Sequence, residues 1–158
     1  MTYFAVQTRK QEVVEQRLAE WERLHAREKL SISEKTLSGV IFDRGVNNQG
    51  FARVRSKGDF ALFGGHNTQN MKDHLGVPKN RPLADFLPSV TIKAKDLANE
   101  ITSLNIKKNE NIKGEMPITT EHVKNNKNMR EMLAKSNIRP ENLKAEEDTK
   151  KLERKLKS

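Results

Sequence analysis

The residues best placed to do chemistry are nine cations in one stretch of the chain. Arg44, Arg53, Arg55, Lys57, Lys72, Lys79, Arg81, Lys93 and Lys95 face only Asp59, Asp73 and Asp85 across residues 44–95. Phe51, Phe60 and Phe63 are interleaved with them. Lys and Arg set beside phosphates release counterions, which drives association with nucleic acid without sequence preference, and exposed aromatic rings can stack on unpaired bases. Two readings stay open. In one, Arg44, Arg53, Arg55, Lys57, Lys79, Arg81, Lys93 and Lys95 contact DNA or a protein partner. In the other, the cations keep a protein with a small core soluble and the phenylalanines are core.

Catalytic material is scarce. None of His25, His66, His74 and His122 pairs with another at the i, i+4 spacing that sets two metal ligands on one helical face. His66, His74 and Asp73 could meet in space around a metal, but surface or capping roles are the ordinary reading. Gly64-Gly65-His66-Asn67 lacks the spacing and the lysine of a phosphate loop, so a turn is expected there. Glu20, Glu22 and Glu28 stand among cations in a helical pattern typical of a solvated face. A metal-dependent nuclease would need clustered acids beside the basic stretch, and Asp59, Asp73 and Asp85 are scattered. Cysteine is absent, which removes thiolate nucleophiles, disulfides and cysteine-ligated metals. The expectation is a non-enzyme without cofactor or metal.

These residues sit in a chain of 158 residues with formal charge +9, 32% charged and 34% hydrophobic side chains, enough for one small domain with a thin core. Residues 1–43 are balanced, so the positive excess starts after them and resumes beyond residue 107. No apolar run approaches the length needed to span a bilayer, and no leader pattern opens the chain. A cytoplasmic location is expected.

The elements that must position the cations read as helices. Thr2 to Lys29 has no Gly or Pro, and Val14, Leu18, Trp21 and Leu24 fall near one face. Trp21 is either an exposed partner anchor or, as expected here, the largest residue of a core stripe. A second helix is predicted over 31–44, with Leu37, Val40 and Ile41 inward and Gly39 as its weak point. Residues 45–66 fit either a hairpin turning at Lys57-Gly58 or helical turns, and helical turns are preferred. A short helix over 68–75 should stop at Gly76, and Pro82 should open another through Phe86. Val90, Ala94, Leu97, Ile101 and Leu104 form a stripe of a helix over 89–106 with Ser89 as its cap. Residues 107–118 read as a linker. A last firm helix starts near Thr119 or Thr120 and runs to Ser136, and residues 145–157 are expected to be helical part of the time. The fold class is therefore mainly α, a helical core domain over 1–106 with a basic, partly helical extension over 119–158. Its apolar stripes can bury within one chain or against a second copy in a homodimer.

Several strings carry a resemblance. Thr2-Tyr3-Phe4-Ala5-Val6-Gln7-Thr8-Arg9-Lys10-Gln11-Glu12, Lys57-Gly58-Asp59-Phe60-Ala61-Leu62-Phe63-Gly64-Gly65, His74-Leu75-Gly76-Val77, Arg81-Pro82-Leu83-Ala84-Asp85-Phe86-Leu87, Thr91-Ile92-Lys93-Ala94-Lys95-Asp96 and Ile118-Thr119-Thr120-Glu121-His122-Val123-Lys124-Asn125-Asn126 resemble, in order, the C-terminal part of the bacterial DNA-damage-inducible protein D family, DinD. Members of that family carry an antirepressor-type (BRO) domain before the first of these strings, and the chain begins almost on it, so that domain's DNA recognition transfers to no residue here. The resemblance implies a role in the SOS response, through contact with a RecA-type recombinase or its filament on single-stranded DNA. It implies no catalytic motif for these positions.

Overall fold

The first helix forms because nothing interrupts it: no Pro occurs before residue 43, and no Gly before Gly39. In the computed structural model, which describes residues 2–158, helix α1 spans Tyr3–Phe42 without a break. At 1.5 Å per residue, its 40 residues extend about 60 Å. The Thr2 hydroxyl caps it, accepting from the Ala5 N–H at 3.3 Å. The two helices expected over 2–29 and 31–44 are thus one, since Ser31 and Ser33 weaken a helix without ending it.

Five more helices follow: α2 (Asn48–Leu62), α3 (Thr68–Leu75), α4 (Ser89–Lys108), α5 (Glu115–Ala134) and α6 (Thr149–Lys157), with 3-10 turns at Leu83–Phe86 and Pro140–Asn142. The molecule is mainly α, and no strand occurs among the described residues. The stretch 45–66 resolves as helix α2, closed by Gly64 and Gly65 at φ of +63° and +102°, a backbone that side chains other than glycine's resist. Gly76 ends α3 in the left-handed conformation, as its position predicts.

The C-terminal half of α1, with α2, α4 and α5, makes a four-helix bundle. Glu22 of α1 pairs with Lys93, Ser33 bonds Asn99, and Leu37 and Ile41 share a cluster with Ile106, so α1 and α4 run parallel. Arg53 meets Glu115 and the Leu62 carbonyl accepts from Arg130, so α2 and α5 are also parallel. Asn105 bonds Glu121 and Thr102 bonds Asn125, which makes α4 and α5 antiparallel. Residues 119–134 therefore lie inside the bundle, with Ile118, Met129 and Leu133 in its core.

Two apolar clusters fill the bundle. One joins Leu30, Leu62, Phe63, Met71, Leu87, Ile92 and Leu133, and the other joins Leu37, Ile41, Val46, Val54, Ile106 and Ile118. Each fully buried large aliphatic side chain contributes about 1.5–3 kcal/mol. Between the clusters every helix contributes a polar residue to one layer: Ser33 from α1, Asp59 from α2, Asn99 and Thr102 from α4, and His122, Asn125 and Asn126 from α5, all buried. Gly58 lets α2 approach α5 at this level, because a Cβ there would stand 2.6 Å from the His122 Cδ2.

Three expectations about side-chain placement need correction. Trp21 is 42% exposed, and Tyr3, Phe4, Val14 and Leu18 are exposed with it, because α1 outruns the helices it packs on. The first of its residues bonded by a side chain from elsewhere in the fold is Glu20, which accepts from Lys155 at 3.4 Å. On α4, Val90, Leu97 and Leu104 of the predicted stripe are also exposed, because the buried face mixes Ile92, Ala94, Ala98 and Ile106 with the polar Thr91, Lys95, Asn99 and Thr102. Ser89 is the first residue of α4 and not its cap, a place taken by Pro88 without a side-chain bond.

The chain after α5 folds back over the bundle. Arg130 and Glu141 form a two-bonded pair at 2.7 and 2.9 Å. Arg23 of α1 donates to the carbonyls of Leu87 (2.9 Å), Asp85 (2.9 Å) and Glu147 (2.6 Å), tying three segments together. Helix α6 then lies on α1, with Leu152 buried.

Candidate anion-binding cleft

A cleft of about 310 Å³ opens where α1, α2, α3, α4 and the loop before α4 meet. Its walls carry Arg27 from α1, Arg55 from α2, Lys72 from α3, Lys79 and Arg81 from the loop, and Lys95 from α4, with Glu34 and Asp59 as its acids. Asn80, Thr68, Pro82, Leu83 and Ala84 complete the lining, which has no aromatic ring.

Two buried carboxylates organise these cations. Asp59 sits at the cleft's inner end, where it takes an ion pair from Lys95 and a hydrogen bond from the Thr68 hydroxyl at 2.6 Å. Asp85, in the 3-10 turn, accepts from Arg27 Nε at 2.7 Å and from the Thr149 hydroxyl at 2.8 Å, and forms an ion pair with Arg81. Arg81 also donates two 2.9 Å bonds to Asp148, which raises its pKa further and holds the Asp148 carboxyl below its usual range. Two guanidinium nitrogens remain buried without a partner, Arg27 Nη1 and Arg55 Nε. A buried donor left unpaired costs about 1–3 kcal/mol, so such atoms call for an acceptor.

Behind Asp59 and Lys95 lies the rest of the polar layer. His122 Nδ1 is 2.9 Å from the Thr102 hydroxyl, and its Nε2 is 3.3 Å from the Asn126 amide. Burial, with the nearby Lys95 charge, pushes His122 down to about 4, so the imidazole is neutral at physiological pH. Burial alone would raise the neighbouring Glu121, but hydrogen bonds from Asn105, Lys124 and Asn125 hold it below its ordinary value.

The eight cations singled out from the sequence divide evenly. Arg55, Lys79, Arg81 and Lys95 line the cleft. Arg44 is spent on the α4–α5 turn, donating to the carbonyls of Asn109 and Ile112 at 3.0 Å each. Arg53 forms a two-bonded pair with Glu115, and Lys93 pairs with Glu22. Lys57 is exposed on the far side of α2, since two residues along a helix rotate a side chain about 200°. Arg27 was missed because residues 1–43 are balanced overall. Its spacing of four from Arg23 and seven from Glu34 was the available signal, since all three share one face of α1. Phe63 is buried, whereas Phe60 is 54% exposed and lies outside the cleft.

His66 and His74 do come together, as stacked rings with centroids 5.9 Å apart. Among the described residues no group of three or more His, Asp or Glu side chains is arranged to hold a metal ion. No helix is long and apolar enough to cross a membrane.

A family model described as the DinD C-terminal domain matches residues 18–152. The chain belongs to the DinD C-terminal domain family. The match takes in the whole bundle, every residue lining the cleft and the first turn of α6. Membership in the DinD C-terminal family gives the chain a DNA-damage-related role. A search of curated proteins found no match.

Proposed function

We propose that this DinD C-terminal chain is a non-enzymatic accessory protein of the bacterial DNA-damage (SOS) response, one that binds a RecA-type recombinase filament and touches nucleic-acid phosphate through its cleft. The recombinase part rests on the family. The phosphate part rests on one observation, the convergence of six cations from five segments on one cleft. A binding role is further supported by Asp59, the most buried carboxylate of the cleft, whose bonds to Lys95 and Thr68 leave it little capacity for a metal or an attacking water.

The test is co-sedimentation with recombinase filaments assembled on single-stranded DNA, using the chain and its Arg55→Glu, Lys79→Glu double variant. Neither side chain holds the fold together: Lys79 has no ion-pair partner among the described residues, and Arg55 only lies over the Phe51 ring at 5.4 Å. Co-sedimentation that weakens in the double variant supports the whole reading. Co-sedimentation equal for both proteins removes the cleft from it, and DNA binding without any preference for the filament leaves a nucleic-acid-binding module with no recombinase contact.

A further inference from the structure

We infer that the cleft recognises a terminal phosphate, a phosphomonoester dianion, in preference to an internal phosphodiester. This deepens the phosphate reading above and depends on it. Four observations carry it. The fixed charges are recessed: the side chains of Lys95, Arg27 and Arg81 are 9%, 16% and 22% exposed, so their donors sit below the rim. An internal phosphodiester is flanked by sugar on both sides and both flanks must leave such a cup, whereas a terminal group projects beyond the last sugar and can enter it.

The cations also converge and do not form a track. A groove that follows a strand needs positive charge in succession along the strand, yet Arg53 and Lys93, neighbours of Arg55 and Lys95 in sequence, face away and are paired elsewhere. The volume of about 310 Å³ is at the small end of ligand sites, the scale of one nucleotide. Finally, the lining offers no aromatic surface for a base, so the phosphate itself is the recognised feature and base identity is immaterial.

Nucleic-acid ends and free mononucleotides share this chemistry, and competition separates them. The intact chain is titrated against a labelled single-stranded oligonucleotide carrying a 5′-phosphate, a 3′-phosphate or hydroxyls at both ends. Circular single-stranded DNA, inorganic phosphate and a nucleoside monophosphate serve as competitors. Binding at least tenfold tighter to one phosphate-ended oligonucleotide is expected, with that advantage lost in the Arg55→Gln, Lys79→Gln double variant, whose helical circular dichroism should match that of the unaltered chain. Competition by the mononucleotide at concentrations matching the ended oligonucleotide also supports the inference and assigns the site to soluble phosphomonoesters. Equal binding of all three oligonucleotides, with circular DNA competing as well as any, overturns the inference while leaving phosphate contact intact. No binding of any DNA, phosphate or mononucleotide overturns both.

Discussion

Helices α2 and α4 each show two faces built from similar residues with opposite roles. Arg55 and Lys95 turn inward, Lys95 to the buried Asp59, while Arg53, Lys57 and Lys93 stand outside in water. Inside, a charge has no solvent to fall back on, so each must be matched within the fold or by a ligand. Outside, water does most of that work, and an ion pair such as Arg53–Glu115 adds little. The contrast teaches that two residues of sequence separate a structural or ligand-binding cation from a solubilising one. Net charge over a segment cannot make that distinction.

The strongest way to break the contrast is Asp59→Ala, which strands Lys95 in the interior. Loss of about 3–5 kcal/mol is expected, read from chemical denaturation. A loss below 1 kcal/mol would mean that water reaches Lys95 and that the inner face is not truly interior. Next comes pH. The unfolded chain takes up a proton on His122 near pH 6.5, whereas the folded chain resists until about pH 4. Between these values the unfolded state binds more protons, so stability falls as pH falls, by about 3 kcal/mol at 1.36 kcal/mol per pH unit. The neutral isostere His122→Gln should flatten the denaturation-midpoint curve over that window, leaving only the carboxylate-driven loss at lower pH.

Gly58→Ala sharpens the comparison from the packing side. Its methyl group would collide with His122 and Asn126 across the α2–α5 contact, so a loss of about 1–3 kcal/mol is expected by thermal or chemical denaturation. Least of all should come from the outer face: Arg53→Ala and Lys93→Ala should leave the denaturation midpoint within experimental error. A large loss from either would place these residues in the interior class with Asp59.

Much of the architecture was legible. Gly64-Gly65, Gly76 and Pro82 punctuate the chain where their backbone preferences put them, and α3 matches its expected bounds because both of its ends carry strong local signals. Misreadings arose where burial is decided by neighbours. Val14, Leu18 and Trp21 make an apolar stripe as good as many core stripes, but α4 and α6 do not reach far enough along α1 to cover it. On α4 the apolar stripe meets the buried face only at Ala94, because an inner face that mixes Ile92, Ala98 and Ile106 with Thr91, Lys95, Asn99 and Thr102 defeats a rule based on apolar periodicity. The site was half legible for the same reason. Cation type and density pointed to Arg55, Lys79, Arg81 and Lys95, but Arg27 comes from a helix far away in sequence, and the carboxylates that set the geometry, Asp85 and Asp148, act across the fold.

The salt dependence of single-stranded DNA binding tests most directly whether the inward cations form a phosphate-binding cleft. For the unaltered chain, log K should fall linearly with log salt, by about 0.7 for each phosphate neutralised. The Arg55→Glu, Lys79→Glu variant should bind more weakly and with a shallower slope, while an Arg53→Glu, Lys57→Glu variant of the outer face should keep the slope of the unaltered chain. If reversing the outer pair flattened the slope and reversing the inner pair left it unchanged, the cleft would not be the phosphate site.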